Sequence, residues 1–154
     1  MPHHLHIVLV EPQIPVNTGS IGRLCLATQC TLHLVEPLGF EITDSKLKRA
    51  GLDYWKHVDL VVHPNLEAFF ASVPEAAPRI FFSKKAPRSY FEHRFEEGSY
   101  LVFGNEINGL DEEVLQRNAS RTFSIPQYDD RVRSLNLANA VSVVVYEAIR
   151  QLGP

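Results

Sequence analysis

Short apolar runs alternate with longer stretches of helical period along the chain, and this alternation restricts the fold more than any other feature of the sequence. The runs are Leu5 to Val10, Leu32 to Val35, Val58 to Val62, Ile80 to Phe82, Tyr100 to Phe103 and Thr122 to Ile125. Their length and composition are those of buried strands. Between them, Asn17 is placed to cap a helix from Thr18 to about Thr28, in which Ile21, Leu24, Cys25 and Thr28 share a face. Asp44 is placed to cap a short helix ending near Gly51, and Asn65 one that carries Leu66, Phe69 and Phe70. Asp111 caps a helix whose first turn holds Glu112 and Glu113, both favourable to the helix dipole. Strands alternating with helices predict an α/β fold with a mostly parallel sheet covered on both faces.

The last segment, Leu137 to Leu152, pulls two ways. Its valines favour a strand by propensity. Length decides for a helix, with Ala140, Val141, Val144, Val145, Ala148 and Ile149 on one stripe and Gly153-Pro154 as the stop. So apolar a helix needs cover on more than one side, from a core or from a second subunit.

At 154 residues the chain is expected to form one domain, spanning 1–154. Such a chain buries about 68–70% of its unfolded surface. No apolar run approaches a transmembrane helix in length, and the start lacks the basic-then-apolar pattern of a signal peptide. A cytoplasmic protein is expected, with no membrane partner. Cys25 and Cys30 then read as reduced, half-buried thiols rather than a disulfide. The net charge of −3 argues against indiscriminate nucleic-acid binding but leaves room for local basic surfaces. Three clusters qualify: Lys46, Lys48 and Arg49; Lys84, Lys85 and Arg88; Arg131 and Arg133.

Three turns rich in glycine, asparagine or arginine follow predicted strands, where ligands of parallel sheets bind. The first is Asn17-x-Gly19-x-x-x-Arg23. The second, Phe103-Gly104-Asn105-Glu106-Ile107-Asn108-Gly109-Leu110, has the glycine spacing of a phosphate loop but no Lys-Ser/Thr after it, so a nucleoside-triphosphate site lacks its cation and its magnesium ligand. What remains is permissive backbone, to which a flat ligand can come close, and one carboxylate. The third runs from Ile125-Pro126 to Arg131-Val132-Arg133-Ser134-Leu135-Asn136, with arginines beside a helix start. Each turn alone also reads as an ordinary cap or loop. His3, His4 and His6 are clustered near the start while His33, His57, His63 and His93 are scattered, without zinc-ligand spacing, so no metal is expected.

Taken together and in this order, the three turns resemble the SPOUT class of RNA methyltransferases, and the resemblance covers essentially the whole chain. It is strongest to the minimal tRNA wobble-nucleotide 2′-O-methyltransferases, which Val8-Leu9-Val10-Glu11-Pro12, Gly51-Leu52-Asp53-Tyr54 and Val143-Val144-Val145-Tyr146-Glu147 also resemble. The resemblance implies a parallel α/β sheet with a C-terminal trefoil knot, bound S-adenosyl-L-methionine and a homodimer. It implies a tRNA (cytidine/uridine-34) 2′-O-methyltransferase acting on the anticodon stem-loop. Cofactor-binding positions fall on Ser83, Gly104, Ile125 and Ser134, with Glu106, Gly109, Leu135 and Asn136 in the matching loops. Catalytic positions fall on Arg23 and Tyr146.

Arginine is an awkward base because a guanidinium keeps its proton. Arg23 can instead orient the phosphate beside the target ribose and favour the developing oxyanion, while Tyr146 either assists the departing proton or packs. Lys84, Lys85, Arg88, Arg131 and Arg133 are the expected RNA contacts, shared across subunits. The loop from Gln127 to Arg133 is slightly longer than is usual in the class, which brings it within reach of RNA. A ribosomal-RNA 2′-O-methyltransferase, or a non-catalytic dimeric module that binds a nucleoside or RNA, also accommodates these features.

Overall fold

The computed structural model describes residues 3–43 and 45–153. Six strands form one sheet: β1 (His6–Val10), β2 (Thr31–Val35), β3 (Leu60–His63), β4 (Arg79–Phe82), β5 (Tyr100–Phe103) and β6 (Thr122–Phe123). Every pairing is parallel, and the order is β3-β2-β1-β5-β4-β6. The helices are α1 (Pro15–Thr28), α2 (Ser45–Gly51), α3 (Leu66–Ser72), α4 (Glu112–Arg117) and α5 (Leu137–Leu152), with short 3-10 turns between some of them.

Alternate residues of each central strand enter opposite cores. Ile7 and Leu9 join Leu32, Leu34, Leu101 and Phe103 beneath α1 and α5, which contribute Ile21, Cys25, Val141, Val144, Val145 and Ala148. Val8 and Val10 join Val35, Phe81 and Val102 on the other face, covered by Phe69 of α3 and Leu115 of α4. Strands buried on both faces read as continuous apolar runs, which is why β1 and β5 were plain in the sequence.

The chain builds outward from β1 through β2 to β3, then crosses to β4 and returns to place β5 beside β1. The strand order therefore reverses between β1 and β5. A crevice opens at such a reversal, beyond the carboxyl ends of the strands.

Several boundaries differ from the sequence expectation. Helix α1 begins at Pro15 with Ile14 as its N-cap, so Asn17 is inside the first turn and does not cap it. Proline suits the first helical position because its missing N–H would have had no partner there. Strand β3 starts at Leu60 rather than Val58, because a 3-10 turn runs on to His57 and leaves Val58 packing against the core. As an edge strand it leaves Val61 and Val62 exposed. Strand β6 ends at Phe123; Ser124 makes only an isolated bridge to Ser89, and the chain then turns away from the sheet at Ile125.

Asp111 stands at the N-cap of α4 without making a side-chain capping bond. Asn65 does cap α3, accepting from Ala68 N at 2.8 Å. Asp44 lies outside the described residues. Cys25 and Cys30 are free and fully buried rather than half-buried. Helix α5 has the expected bounds; one side enters the core, while Val143 and Tyr146 on its outer side stay exposed.

Two of the histidines scattered in the sequence, His33 and His63, are neighbours in space. Register sets His6, His33 and His63 side by side on β1, β2 and β3. His6 Nδ1 lies 2.9 Å from His33 Nε2, and His33 Nδ1 lies 2.9 Å from His63 Nε2. Each contact needs one proton between two nitrogens, so the neutral rings form a chain of hydrogen bonds. Burial, with the neighbouring His6 and His63, holds His33 down at about 4.

Candidate active site

Four loops meet at the strand reversal. The chain after β1 contributes Ile14 and Asn17, and the turn after β4 contributes Ser83, Lys84 and Lys85. The loop after β5 contributes residues 104–110, and the segment after β6 contributes Ile125, Gln127 and residues 133–136. They enclose a cavity of about 700 Å³ floored by Phe82 and Phe103, whose rings stack at 4.8 Å. This volume suits a nucleoside-sized ligand, since small-molecule sites span about 300–1,000 Å³.

The loop after β5 is a tight, self-bonded turn. Asn105 Oδ1 accepts from Ile107 N at 3.0 Å and Asn108 N at 2.8 Å, and Gly109 N donates to Asn105 O at 3.1 Å. Gly109 closes it at φ 66°, a conformation glycine takes without strain. The turn folds directly over Gly104. A Cβ on Gly104 would lie 2.1 Å from the Gly109 carbonyl carbon and 2.3 Å from Leu110 N. Gly104 therefore lets one backbone segment lie against another at the cavity wall.

A polar bridge then joins the three sequence motifs. Glu106 reaches the start of α1, where its carboxylate accepts from Gln13 N at 2.8 Å, Ile14 N at 2.9 Å and Asn17 Nδ2 at 3.2 Å. Helix α1 has no acidic residue in its first turn and no side-chain cap of its own. Glu106 supplies both from a distant loop. Asn17 Oδ1 in turn accepts from Asn136 Nδ2 at 3.1 Å, and Asn136 Oδ1 caps α5 through Asn139 N at 3.1 Å. Two helix starts and the β5 loop are thereby fixed to one another. Bonds to an ionised carboxylate are each about twice as strong as neutral ones.

Cationic side chains strap the remaining loops. Lys84 Nζ donates to Arg133 O, and Arg133 donates to Ile107 O. The segment after β6 is thus held between the turns after β4 and β5.

All eight cofactor-side residues expected from the sequence line this single cavity: Ser83, Gly104, Glu106, Gly109, Ile125, Ser134, Leu135 and Asn136. Of the expected RNA contacts, Lys84, Lys85 and Arg133 line it as well, and Arg131 lines an adjoining hollow. Arg88 lines neither; it donates to Ser120 O at 2.6 Å and sits 4.7 Å from the centre of the Phe123 ring. Arg131 is held in an ion pair with Asp129 at 2.6 Å, and Lys85 lies 3.5 Å from Glu112.

The catalytic candidates are elsewhere. Arg23 is exposed on α1, stacked over Tyr54 at 5.5 Å, and Tyr146 is exposed on α5; neither lines the cavity. Each lies six residues past a lining residue of its own helix, Asn17 and Ala140 respectively. Six residues are roughly 9 Å of helix and about 240° of rotation, which turns both side chains away from the crevice. Sequence reasoning missed Asn17 as a member of the polar bridge. The available signal was Pro15, which marks a first helical position and leaves Asn17 too far in to cap.

The SpoU rRNA methylase family model matches residues 4–146, nearly the whole chain. The chain belongs to this family. The tRNA (cytidine(34)-2′-O)-methyltransferase of Saccharophagus degradans is 47% identical over 151 residues, covering 96% of each chain. A structure solved in work on 2-OH methylation of C/U34 on tRNA superposes with a TM-score of 0.94 at 51% identity, covering 99% of this chain and 98% of the other. The SpoU methyltransferase AviRb of Streptomyces viridochromogenes, in complex with the cofactor AdoMet, superposes with a TM-score of 0.84 at 25% identity, over 98% of this chain and 61% of its own. The six-stranded parallel sheet is accordingly that of the SpoU branch of SPOUT methyltransferases, as the motifs suggested.

The residues present suit such a cofactor. Gly104 keeps the wall free of a Cβ, and Phe82 and Phe103 offer an apolar floor on which a flat base can lie. Among the described residues no group of three or more His, Cys, Asp or Glu is arranged to hold a metal.

Proposed function

We propose that this chain is an S-adenosyl-L-methionine-dependent tRNA (cytidine/uridine-34) 2′-O-methyltransferase, working on the ribose of the wobble nucleotide. The observation that carries this reading is the convergence of three motif loops on one nucleoside-sized cavity, locked by the Glu106–Asn17–Asn136 bridge. Relatives of nearly the same length that are named for this reaction support it.

When bound, the cofactor supplies a methyl group already activated on a sulfonium, ready for in-line displacement by a ribose oxygen. What the chain must add is position, and well-oriented reactants gain up to about 7–11 kcal/mol. Ser83, Gly104, Gly109, Ile125, Ser134 and Leu135, which line the cavity, would hold the donor. Glu106 and Asn136 keep the loops around it from spreading. On the acceptor side, the 2′-hydroxyl oxygen would take the methyl as the S–CH3 bond breaks to leave a neutral thioether, and its proton would pass to solvent water. Arg23 orients the adjoining phosphate and stabilises the developing oxyanion, and Tyr146 stands close to the path of that proton.

Arg23 and Tyr146 reach the reaction from the second subunit of a homodimer. Val16 on α1 and Ile14 at its N-cap, Val143 and Tyr146 on α5, and Leu135 beside the cavity are all exposed apolar groups. α1 and α5 pack together with their starts joined through Asn17 and Asn136, so these groups can form one self-complementary surface. Two-fold packing of that surface brings Arg23 of the partner subunit toward the crevice, and isologous interfaces of this kind are the commonest in homo-oligomers. The cations at the rim, Lys84, Lys85, Arg131 and Arg133, then face the anticodon stem-loop, with Arg88 farther out.

The path of the chain is compatible with a trefoil knot. After β6 at the sheet edge, the segment 127–136 runs back over the ends of β4 and β5 to α1, and Arg133 is bonded to Ile107 as it passes. We place the protein in the cytoplasm as a single domain; among the described residues no helix is long and apolar enough to cross a membrane.

Tritiated methyl transfer to total tRNA and rRNA, followed by nucleoside mapping, tests the reading. Label at position 34 of tRNA is expected. Label confined to rRNA, or none with either RNA, would contradict it.

A further inference from the structure

Beside the methyl-donor cavity lies a second hollow, lined by Lys84, Gln127, Tyr128, Asp129, Asp130, Arg131 and Val132. It shares Lys84 and Gln127 with the cavity, so the two are adjoining compartments of one surface. Tyr128 stands in its wall with 93% of its surface exposed. A tyrosine ring can bury 150–250 Å², and here almost none of it is covered, although the residue lies within a short, well-tied loop.

The loop is bonded to itself rather than to the ring. Arg131 pairs with both carboxylate oxygens of Asp129, and Arg131 N donates to Asp129 Oδ1 at 2.9 Å. Gln127 Nε2 donates to Val132 O at 3.3 Å, and Val132 N donates to Asp129 O at 3.4 Å. Lys84 holds the loop's far end at Arg133 O. These bonds hold Tyr128 out without covering it. The charge of the hollow matters as well. Asp129 neutralises Arg131, and Asp130 adds a second carboxylate beside it, so the floor of this hollow is poorly suited to a phosphate. A nucleobase suits it better: an aromatic face for stacking, with an amide and a carboxylate near the base edge.

We propose that Tyr128 is a base-stacking, specificity-determining residue that receives the nucleobase next to the methylated nucleotide, with Gln127 and Asp130 facing the edge of that base. The inference rests on the tRNA-methylating reading above and names the part of the surface that holds the RNA. It gives the long loop a task that phosphate contacts from Arg131 do not explain, since that arginine is already paired.

The test uses the full-length protein with intact tRNA and with an anticodon stem-loop carrying 2-aminopurine at each neighbour of the target nucleotide in turn. Stacking energies of about 1–3 kcal/mol per base predict that Tyr128→Ala raises KM for tRNA roughly 5- to 150-fold. Tyr128→Phe and Tyr128→Trp, which keep a ring face, stay near the wild-type KM. Affinity for S-adenosylhomocysteine is the same in all four proteins. One of the two 2-aminopurine positions is quenched by wild type and by the Phe variant but not by the Ala variant. A KM within twofold of wild type for Tyr128→Ala, while wild type methylates tRNA normally, overturns the stacking role and leaves the enzymatic reading intact. Dissociation of the Ala variant into monomers assigns Tyr128 to a subunit contact and also overturns it. Failure of wild type itself to methylate tRNA refutes the reading beneath and this inference with it.

Discussion

The two ends of helix α1 do different work. At its start, Ile14 and Asn17 line the cavity and are tied to Glu106 and Asn136. Farther along, Arg23 is exposed, with its guanidinium over the ring of Tyr54. Helix α5 repeats the division, with Leu137 and Ala140 at the cavity and Tyr146 outside. The residues expected to hold the donor thus line a cavity formed by one chain, whereas those expected to act on the acceptor hydroxyl lie outside it. Cofactor binding should be a property of the single chain, and transfer a property of the pair.

Gly104→Ala strikes the first region hardest. Its methyl would meet backbone, which cannot swing aside as a side chain can. Affinity for S-adenosylhomocysteine, read by calorimetry, should fall on the order of 100-fold. Arg23→Ala does the reverse: kcat should drop by about 100- to 1,000-fold, the scale of a lost oxyanion-stabilising group, with cofactor affinity unchanged. A loss of cofactor affinity in Arg23→Ala as large as its loss of kcat would break the division.

A milder change sharpens it. Glu106→Gln keeps the shape but loses the charge and sets an amide against N–H donors that the second carboxylate oxygen now satisfies. Bonds to charged groups contribute about 1.5–3 kcal/mol, so a fall in thermal midpoint and roughly tenfold weaker cofactor binding are expected. Charge reversal at Arg133 should weaken tRNA binding, flatten its salt dependence and, because Arg133 lines the cavity, loosen cofactor binding as well, whereas reversal at Arg131, already paired with Asp129, should have a smaller effect. Arg133 should contribute more to any loop disorder, because it also ties Ile107.

A further effect belongs to neither region and serves as a control. His33 is held down at about 4 by burial, while in the unfolded chain a histidine titrates near 6.5. As pH falls from 6.5 toward 4 the unfolded state takes up the proton first, so stability present above 6.5 is lost across that window. The urea midpoint should therefore fall between pH 7 and pH 5, and His33→Phe should flatten that dependence. Asp59, whose charge opposes the shift, should moderate the slope.

Much of this was legible in advance. The strands β1 and β5 and the bounds of α5 follow from apolar runs and helical period, while the eight cofactor-side positions follow from the family resemblance that the motif loops carry, and all eight line the cavity. What was not legible depends on three-dimensional register. The chain of His6, His33 and His63 joins residues 27 and 30 positions apart, and only strand pairing makes them neighbours. The bonds of Lys84 and Arg133 to backbone carbonyls give two expected RNA contacts a second use as loop straps, which charge patterning does not reveal. The outward placement of Arg23 follows from helical phase counted from Pro15, a start that the sequence reading had put at Thr18.

The central claim is that one chain presents the methyl and its partner presents Arg23. Co-expression of Gly104→Ala and Arg23→Ala chains carrying different tags allows the mixed dimer to be purified and assayed. Either homodimer alone should be nearly inactive. The mixed dimer joins an intact pocket to an intact arginine across the interface, and roughly half of wild-type turnover is expected from its one competent site. A mixed dimer no more active than its parents would place Arg23 and the pocket of the same chain in one site and contradict the account.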